Sequence, residues 1–267
     1  MKRNEMQTLL YEGFKKNDAT TNKINDFLVV EAPLEISINQ SSFTVVMRTP
    51  GNDFELIRGL LHAEDIYRSK VNPTMEVVSD TPNAFTKIEV TIPEKLLGNG
   101  YMNKRSLLSV SSCGICGKQQ LEDFETPKTK LKNQPQINLD KLPEMFAIMS
   151  EHQQVFSLTG GSHAAVIFDE NYVFLTLKED IGRHNAVDKC IGKLIESNQL
   201  KSAAFMLVSG RVSYEIITKA FFAKISTIVA VSACSSLAVD YAKEFGICLI
   251  GFSRDNKATI YSNSSGI

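Results

Sequence analysis

Three short apolar runs, separated by helical segments, constrain the fold of the second half of this chain. Residues 203–208, 227–231 and 247–250 are almost entirely apolar, as is typical of strands covered on both faces. Residues 213–223 and 237–245, between these runs, place apolar side chains at helical spacing. Strand–helix–strand connections of this length imply parallel neighbours and right-handed crossovers. The pattern therefore predicts a three-layer α/β unit with a core of its own.

Further segments extend this unit. Residues 164–168 and 172–177 read as a β-hairpin joined by the turn Asp169-Glu170-Asn171. Residues 141–153 and 185–196 have the apolar spacing of helices. We therefore assign residues 139–267 to an α/β domain.

The first half of the chain has a different character. Residues 31–93 are strand-rich, with strands predicted at 32–38, 43–47, 75–78 and 88–92, and Asp53 can cap a helix between them. The first 25 residues indicate a loose, flexible arm. Residues 94–138 are rich in Gly, Lys, Gln, Asn and Pro and indicate a linker with a short helix near 104–108 and a mobile loop at 109–119. The predicted fold is α/β (α+β overall), with an arm at 1–25, a smaller strand-rich region at 26–138 and the α/β domain.

Charge and hydropathy exclude some classes of partner. The chain of 267 residues carries 29 Lys and Arg against 30 Asp and Glu, which gives no support for bulk binding to nucleic acid or to an anionic membrane. No apolar run approaches the roughly 20 residues of a membrane span, and the polar first residues lack the apolar region of a signal peptide. A cytoplasmic location is expected, so the five cysteines are interpreted as thiols.

The pair Cys113-Gly114-Ile115-Cys116 is the sharpest chemical feature. Flanking Gly and Ser residues leave both sulfurs accessible, and Lys118, with Lys104 and Arg105 upstream, favours the reactive thiolate. Two thiols at this spacing can exchange, share a metal or relay a sulfur atom.

Four interpretations of this pair compete. A structural zinc site needs more ligands, and the other cysteines, Cys190, Cys234 and Cys248, are scattered. A thioredoxin-like dithiol belongs between a strand and a helix, whereas this pair lies in a polar, strand-poor stretch. The non-functional alternative is that the two cysteines have this spacing by chance in a surface loop. A sulfur-handling thiol on a mobile loop fits the placement best.

Polar loops after the α/β strands form a second candidate site. Ligands of open α/β sheets bind beyond the carboxyl ends of the strands. Helix N-termini favour anions, and Arg offers two donors to a phosphate, so a phosphate-bearing ligand is inferred. The alternative is that these are turn and capping residues with surface arginines. Absence of G-x-G-x-x-G and P-loop motifs argues against a dinucleotide cofactor or an ATPase. The cationic side chains at these loops are Arg183, His184, Arg211, Arg254 and Lys257.

Single residues also have alternative interpretations. His163 follows a Gly pair and is a candidate base, although a lone His is often a hydrogen-bonded structural residue. Cys190 on an apolar helix face and Cys248 in a strand are predicted core thiols.

Several motifs together resemble the FdhD family, sulfur carriers or sulfurtransferases required for formate dehydrogenase activity. The resemblance spans residues 31–261. Cys234 departs from it, standing where Pro is expected, and Gln40 and Asp65 replace expected glycines. The matching stretches are 111–118 (SSCGICGK), 160–165 (GGSHAA), 179–189 (EDIGRHNAVDK), 209–215 (SGRVSYE), 230–232 (AVS) and 251–254 (GFSR) with Tyr261.

The resemblance implies a homodimer with a cytidine-deaminase-like carboxyl-terminal domain. It implies that sulfur is taken from a cysteine desulfurase as a persulfide on Cys113, with Cys116 as the second thiol. The sulfur passes to the bis(molybdopterin guanine dinucleotide) cofactor of molybdenum or tungsten before that cofactor enters formate dehydrogenase. GDP is the expected surrogate ligand. The expected cofactor-binding residues are His163, Arg183, His184, Gly210, Arg211, Ser232, Phe252, Ser253, Arg254, Asp255, Asn256 and Lys257.

Rival functions remain at this point. A zinc deaminase needs His-x-Glu followed by Pro-Cys-x-x-Cys, whereas His163 is followed by two alanines and the cysteine pair precedes it. That reading is rejected. A guanine-nucleotide-cofactor chaperone that needs no cysteines and a thiol–disulfide oxidoreductase stay as alternatives.

Overall fold

The computed structural model of the protein describes residues 6–81, 85–102, 130–132, 135–254 and 257–262. The strands are β1 (Thr8–Lys16), β2 (Thr21–Val29), β3 (Ala32–Ile38), β4 (Ser41–Arg48), β5 (Thr74–Asp80), β6 (Thr86–Thr91), β7 (His163–Phe168), β8 (Phe174–Asp180), β9 (Phe205–Val208), β10 (Thr227–Ala230), β11 (Cys248–Arg254) and β12 (Lys257–Ser262). The helices are α1 (Asp53–Ala63), α2 (Asn99–Met102), α3 (Leu142–His152), α4 (Gln154–Thr159), α5 (Arg183–Glu196), α6 (Tyr214–Ala223) and α7 (Ser236–Phe245).

The second half is built around a sheet in the order β12-β11-β10-β9-β7-β8. Strands β9, β10 and β11 run parallel, as predicted from the helical crossovers between them. One face of the sheet packs with α5, α6 and α7, and the other with α3. Alternate residues of β9 point into the two cores. Met206 and Val208 pack on the side of α5, α6 and α7, and Phe205 and Leu207 pack on the side of α3. The predicted three-layer α/β arrangement is confirmed.

The first half contains a second sheet in the order β4-β3-β6-β5. Its strands coincide with the four predicted ones. Helix α1 covers one face, and Leu56, Ile57 and Leu61 are fully buried against the sheet. Asp53 was expected to cap this helix, but it is the first helical residue, and Asn52 occupies the capping position. The Asp53 carboxylate instead accepts hydrogen bonds from Arg48.

Two glycines let α1 and α5 approach backbone to backbone. A Cβ atom at Gly59 would lie 1.9 Å from the carbonyl oxygen of Asp188, and one at Gly192 would lie 1.8 Å from that of Glu55. Any side chain larger than hydrogen would force the helices apart, because atoms cannot approach so closely. This contact fixes the first-half sheet against the α/β layers.

Some sequence predictions were wrong. The expected loose arm is instead the hairpin β1–β2, which forms a two-stranded sheet by itself. Strand β8 ends later than predicted, and it also starts later because the Asp169 carboxylate accepts from the amides of Asn171 and Val173, which prolongs the turn. Strand β12 and helix α4 were not predicted. The helix expected at 104–108 and the loop at 109–119 lie outside the described residues. No helix in the described ranges is long and apolar enough to cross a membrane.

Candidate functional site

Five predicted loops and strand ends meet at one edge of the six-stranded sheet. His163 begins β7, which runs antiparallel to β9, so it lies at the carboxyl end of β9 beside Gly210. Asp180 ends β8 and is paired with His163. Ser232 follows β10, and its carbonyl oxygen accepts a 3.0 Å hydrogen bond from the amide of Phe252 in β11. The structure therefore brings these residues together at one edge of the sheet, as the direction of the strands predicted. We call this edge the carboxyl-edge site.

Gly210 lies so close to His163 and Arg183 that a side chain there would crowd both residues. A Cβ atom there would lie 3.2 Å from Nδ1 of His163 and 3.3 Å from Cβ of Arg183. Burial lowers the pKa of His163 below its usual value, and the positive charges of Arg183 and then Arg211 lower it further, against an opposing effect of Asp180. The imidazole is therefore neutral at pH 7, beside two guanidinium groups.

The site also presents unsatisfied donors. Nε of Arg183 is buried and has no hydrogen-bond partner among the described residues. Within the described part of the chain, no side chain caps the N-termini of α5 and α6, whereas Ser235 caps α7 by accepting from the amide of Ala238. Buried donors are normally paired. An anionic oxygen beside Nε of Arg183 would satisfy the guanidinium.

A buried network around Asp180 fixes the turn that leads into α5. The Asp180 carboxylate accepts from the amides of Thr49 and Gly182 at 3.0 and 2.8 Å. It also accepts from the Asn185 amide group at 2.8 Å and pairs with the Lys189 ammonium at 2.7 Å. The sequence gives no signal for this role, because Thr49 and Asp180 lie 131 residues apart.

Glu179 fixes the turn before His163 in a similar way. Its carboxylate is buried and accepts from the amides of Val155 and Phe156, at the start of α4, and from the hydroxyl of Ser162. The Gly160-Gly161 turn and the first residue of β7 are therefore held by a side chain from β8.

His184 lies close to the site but faces its scaffold. It is buried, and its Nε2 lies 2.9 Å from Oγ of Ser213 and 3.8 Å from a carboxylate oxygen of Glu215. The ring thereby links the starts of α5 and α6. Its predicted contact with a ligand stays a prediction.

The segment 252–257 is more regular than the expected loop. Strand β11 continues to Arg254, which pairs with Lys257 of β12. Phe252 has a left-handed backbone (φ 50°) and is exposed, whereas Ser253 is buried. Asp255 and Asn256 lie outside the described residues, as do Cys113 and Cys116.

The three described cysteines differ in exposure. Cys190 and Cys248 are buried, as predicted for core thiols, and burial raises their pKa values to about 12 and about 11. Cys234 is half-buried at the carboxyl-edge site, next to the backbone of Gly251, and burial raises its pKa to about 11. All three are protonated at neutral pH and are weak nucleophiles there.

The chain is similar to known proteins both in sequence and in fold. A sequence profile described as the FdhD/NarQ family matches residues 29–267. The sulfur carrier protein FdhD of Sulfolobus acidocaldarius is 37% identical over 95% of this chain and 96% of its own length. The protein of the same name from Streptomyces avermitilis is also 37% identical, over 91% of this chain and 89% of its own. A solved structure from Desulfotalea psychrophila, a candidate formate dehydrogenase accessory protein, shares the fold with a TM-score of 0.75 at 16% identity, covering 98% of this chain and all of that one.

Proposed function

Since the chain belongs to the FdhD/NarQ family, we propose that it is a sulfur carrier that supplies sulfur to a molybdenum or tungsten cofactor for formate dehydrogenase. The sulfur is taken from a cysteine desulfurase as a persulfide. The acceptor is the bis(molybdopterin guanine dinucleotide) form of the metal cofactor, which is the substrate of the transfer. The working assembly is proposed to be a homodimer.

The unpaired Nε of Arg183 at the carboxyl-edge site is the observation that carries this proposal. It supports a place for an anion, and the diphosphate of a guanine nucleotide would provide one. Arg211 adds a second positive charge, and Gly210 lets the backbone approach His163 and Arg183 closely. We propose that Ser232 and residues 252–257 contact the rest of the nucleotide.

Cys113 and Cys116 are proposed to carry out the sulfur step. The Cys113 thiolate attacks the outer sulfur of the desulfurase persulfide; a new S–S bond forms on Cys113, and the desulfurase leaves as a thiolate. The Cys116 thiolate then attacks Sγ of Cys113. A disulfide forms between the two cysteines, and the outer sulfur leaves as hydrosulfide with the electron pair of the broken bond. A dithiol reductant returns the pair to the thiol state.

Incubation with a desulfurase and cysteine is expected to add the mass of one sulfur atom to the protein. The added mass should be absent from Cys113→Ala, which lacks the attacking thiolate, and should accumulate in Cys116→Ala, which lacks the thiol that releases sulfur. Intact-protein mass spectrometry under non-reducing conditions measures both. An adduct that persists in Cys113→Ala and disappears in Cys116→Ala would reverse the two roles.

GDP is expected to bind Arg211→Ala about 10- to 150-fold more weakly than wild type, because one charge-assisted hydrogen bond is lost. Isothermal titration calorimetry measures the affinity. Lys193→Ala is the matched control: it removes an exposed positive charge from the last turn of α5, away from the carboxyl-edge site. Equal affinity in wild type and Arg211→Ala would remove Arg211 from the site.

A further inference from the structure

A second cavity lies at the opposite edge of the six-stranded sheet. It has a volume of about 820 Å³ and opens beside the residues that precede β9 and β10. Its apolar lining comes from Leu131, Pro135, Ala203 and Ala204. The cavity lies beyond the amino end of β9 and the carboxyl-edge site beyond the other end, so they are separated by the four residues of this strand, about 13 Å at 3.3 Å per residue.

The charge of this cavity is predominantly positive. Four lysines are among the residues that line it: Lys130, Lys132, Lys201 and Lys224. All four side chains are exposed, and none forms an ion pair within the described part of the chain. Lys224 lies over the ring of Phe221, with its Nζ 4.7 Å from the ring centroid, a contact that leaves its charge unneutralised.

Two carboxylates also line the cavity, from Asp169 and Glu170. Asp169 is already engaged, because one of its oxygens accepts from the amides of Asn171 and Val173. Glu170 is exposed in the turn between β7 and β8. Two carboxylates against four ammonium groups leave a net positive charge, and anions of higher charge gain most from it.

We propose that this cavity binds a small organic molecule carrying two or more phosphate charges. Its volume lies within the range of small-molecule sites, which is roughly 300–1,000 Å³. Lysine binds phosphate as a mobile point charge, without the fixed geometry of Arg, so the cavity selects charge more than shape. The Leu, Pro and Ala lining offers an apolar surface to the organic part. The site is separate from the carboxyl-edge site and does not depend on the proposed sulfur transfer.

The test uses the full chain with ADP and inorganic pyrophosphate as probes. The Arg211→Ala background weakens binding at the carboxyl-edge site, so calorimetry there reports mainly on the lysine cavity. We expect Lys201→Gln with Lys224→Gln, and separately Lys130→Gln with Lys132→Gln, to weaken ADP binding at least about tenfold. Lys193→Gln, an exposed lysine elsewhere, should leave it unchanged. Pyrophosphate should bind more weakly than ADP but with the same dependence on the lysines.

ADP affinity that stays within twofold of the parent in both double variants would overturn the proposal. So would binding of a glutamate-rich peptide, but not of ADP, with the same lysine dependence, because the cavity would then recognise an acidic protein segment. GDP also carries a diphosphate, so its dependence on Arg211 is measured in the two lysine double variants as well, which tests the carboxyl-edge site independently of this cavity.

Discussion

Formate oxidation is expected to fall to background in cells whose only copy of this protein carries Cys113→Ala and Cys116→Ala. Alanine has no nucleophile, and burial leaves Cys190, Cys234 and Cys248 protonated at neutral pH, so none of them replaces the lost thiolates. The purified variant should still bind GDP with the wild-type affinity. Formate dehydrogenase isolated from these cells should contain the metal cofactor without its terminal sulfur ligand.

Ser111→Ala with Ser112→Ala is the matched control, because it changes the same segment without removing a thiol. It should retain near-normal formate oxidation. Near-normal oxidation in the double cysteine variant would instead favour a chaperone that delivers the nucleotide cofactor without transferring sulfur. In that case the carboxyl-edge site would stand and the sulfur step would be abandoned.

Asp180→Ala should lower the free energy of unfolding by about 3–5 kcal/mol, the usual cost of removing one partner of a buried ion pair. Lys189 is fully buried and would lose its carboxylate, keeping only backbone carbonyl acceptors from Thr49 and Glu179. The amides of Thr49 and Gly182 would lose their acceptor as well. Urea denaturation followed by circular dichroism measures the change.

Lys23→Gln provides the comparison, because it breaks the exposed ion pair between Lys23 and Glu12 on the β1–β2 hairpin. Exposed pairs contribute at most about 1 kcal/mol, so this variant should unfold almost as wild type does. If Asp180→Ala were equally mild, the buried network would not contribute to stability as a buried ion pair does.

The α/β half was predictable from sequence because its strands are buried on both faces. The apolar runs that form β9, β10 and β11 lack the alternation of polar and apolar residues that marks a strand with one face in solvent. Their parallel pairing followed from the helices between them. The placement of Gly210 and Ser232 at one edge then followed from strand direction alone. The core positions of Cys190 and Cys248 were likewise readable from their apolar neighbours.

The hairpin β1–β2 was not predictable by the same reasoning. Its apolar residues do not mark a buried face: Leu10, Phe14 and Phe27 are 55%, 76% and 42% exposed. Periodicity identifies elements through burial, so an exposed ribbon gives little signal. The Asp180–Thr49 link was hidden for another reason, since its partners are 131 residues apart and only the folded chain brings them together.

The contact between α1 and α5 has a consequence for how the protein is made. Helix α5 ends about 130 residues after α1, so a ribosome adding roughly 5–20 residues per second exposes the α5-facing side of α1 for on the order of ten seconds. During that interval helix α5 is not yet available to pack against Gly59. The first-half sheet and α1 are therefore synthesised as a nascent unit whose α5-facing side stays open until α5 emerges.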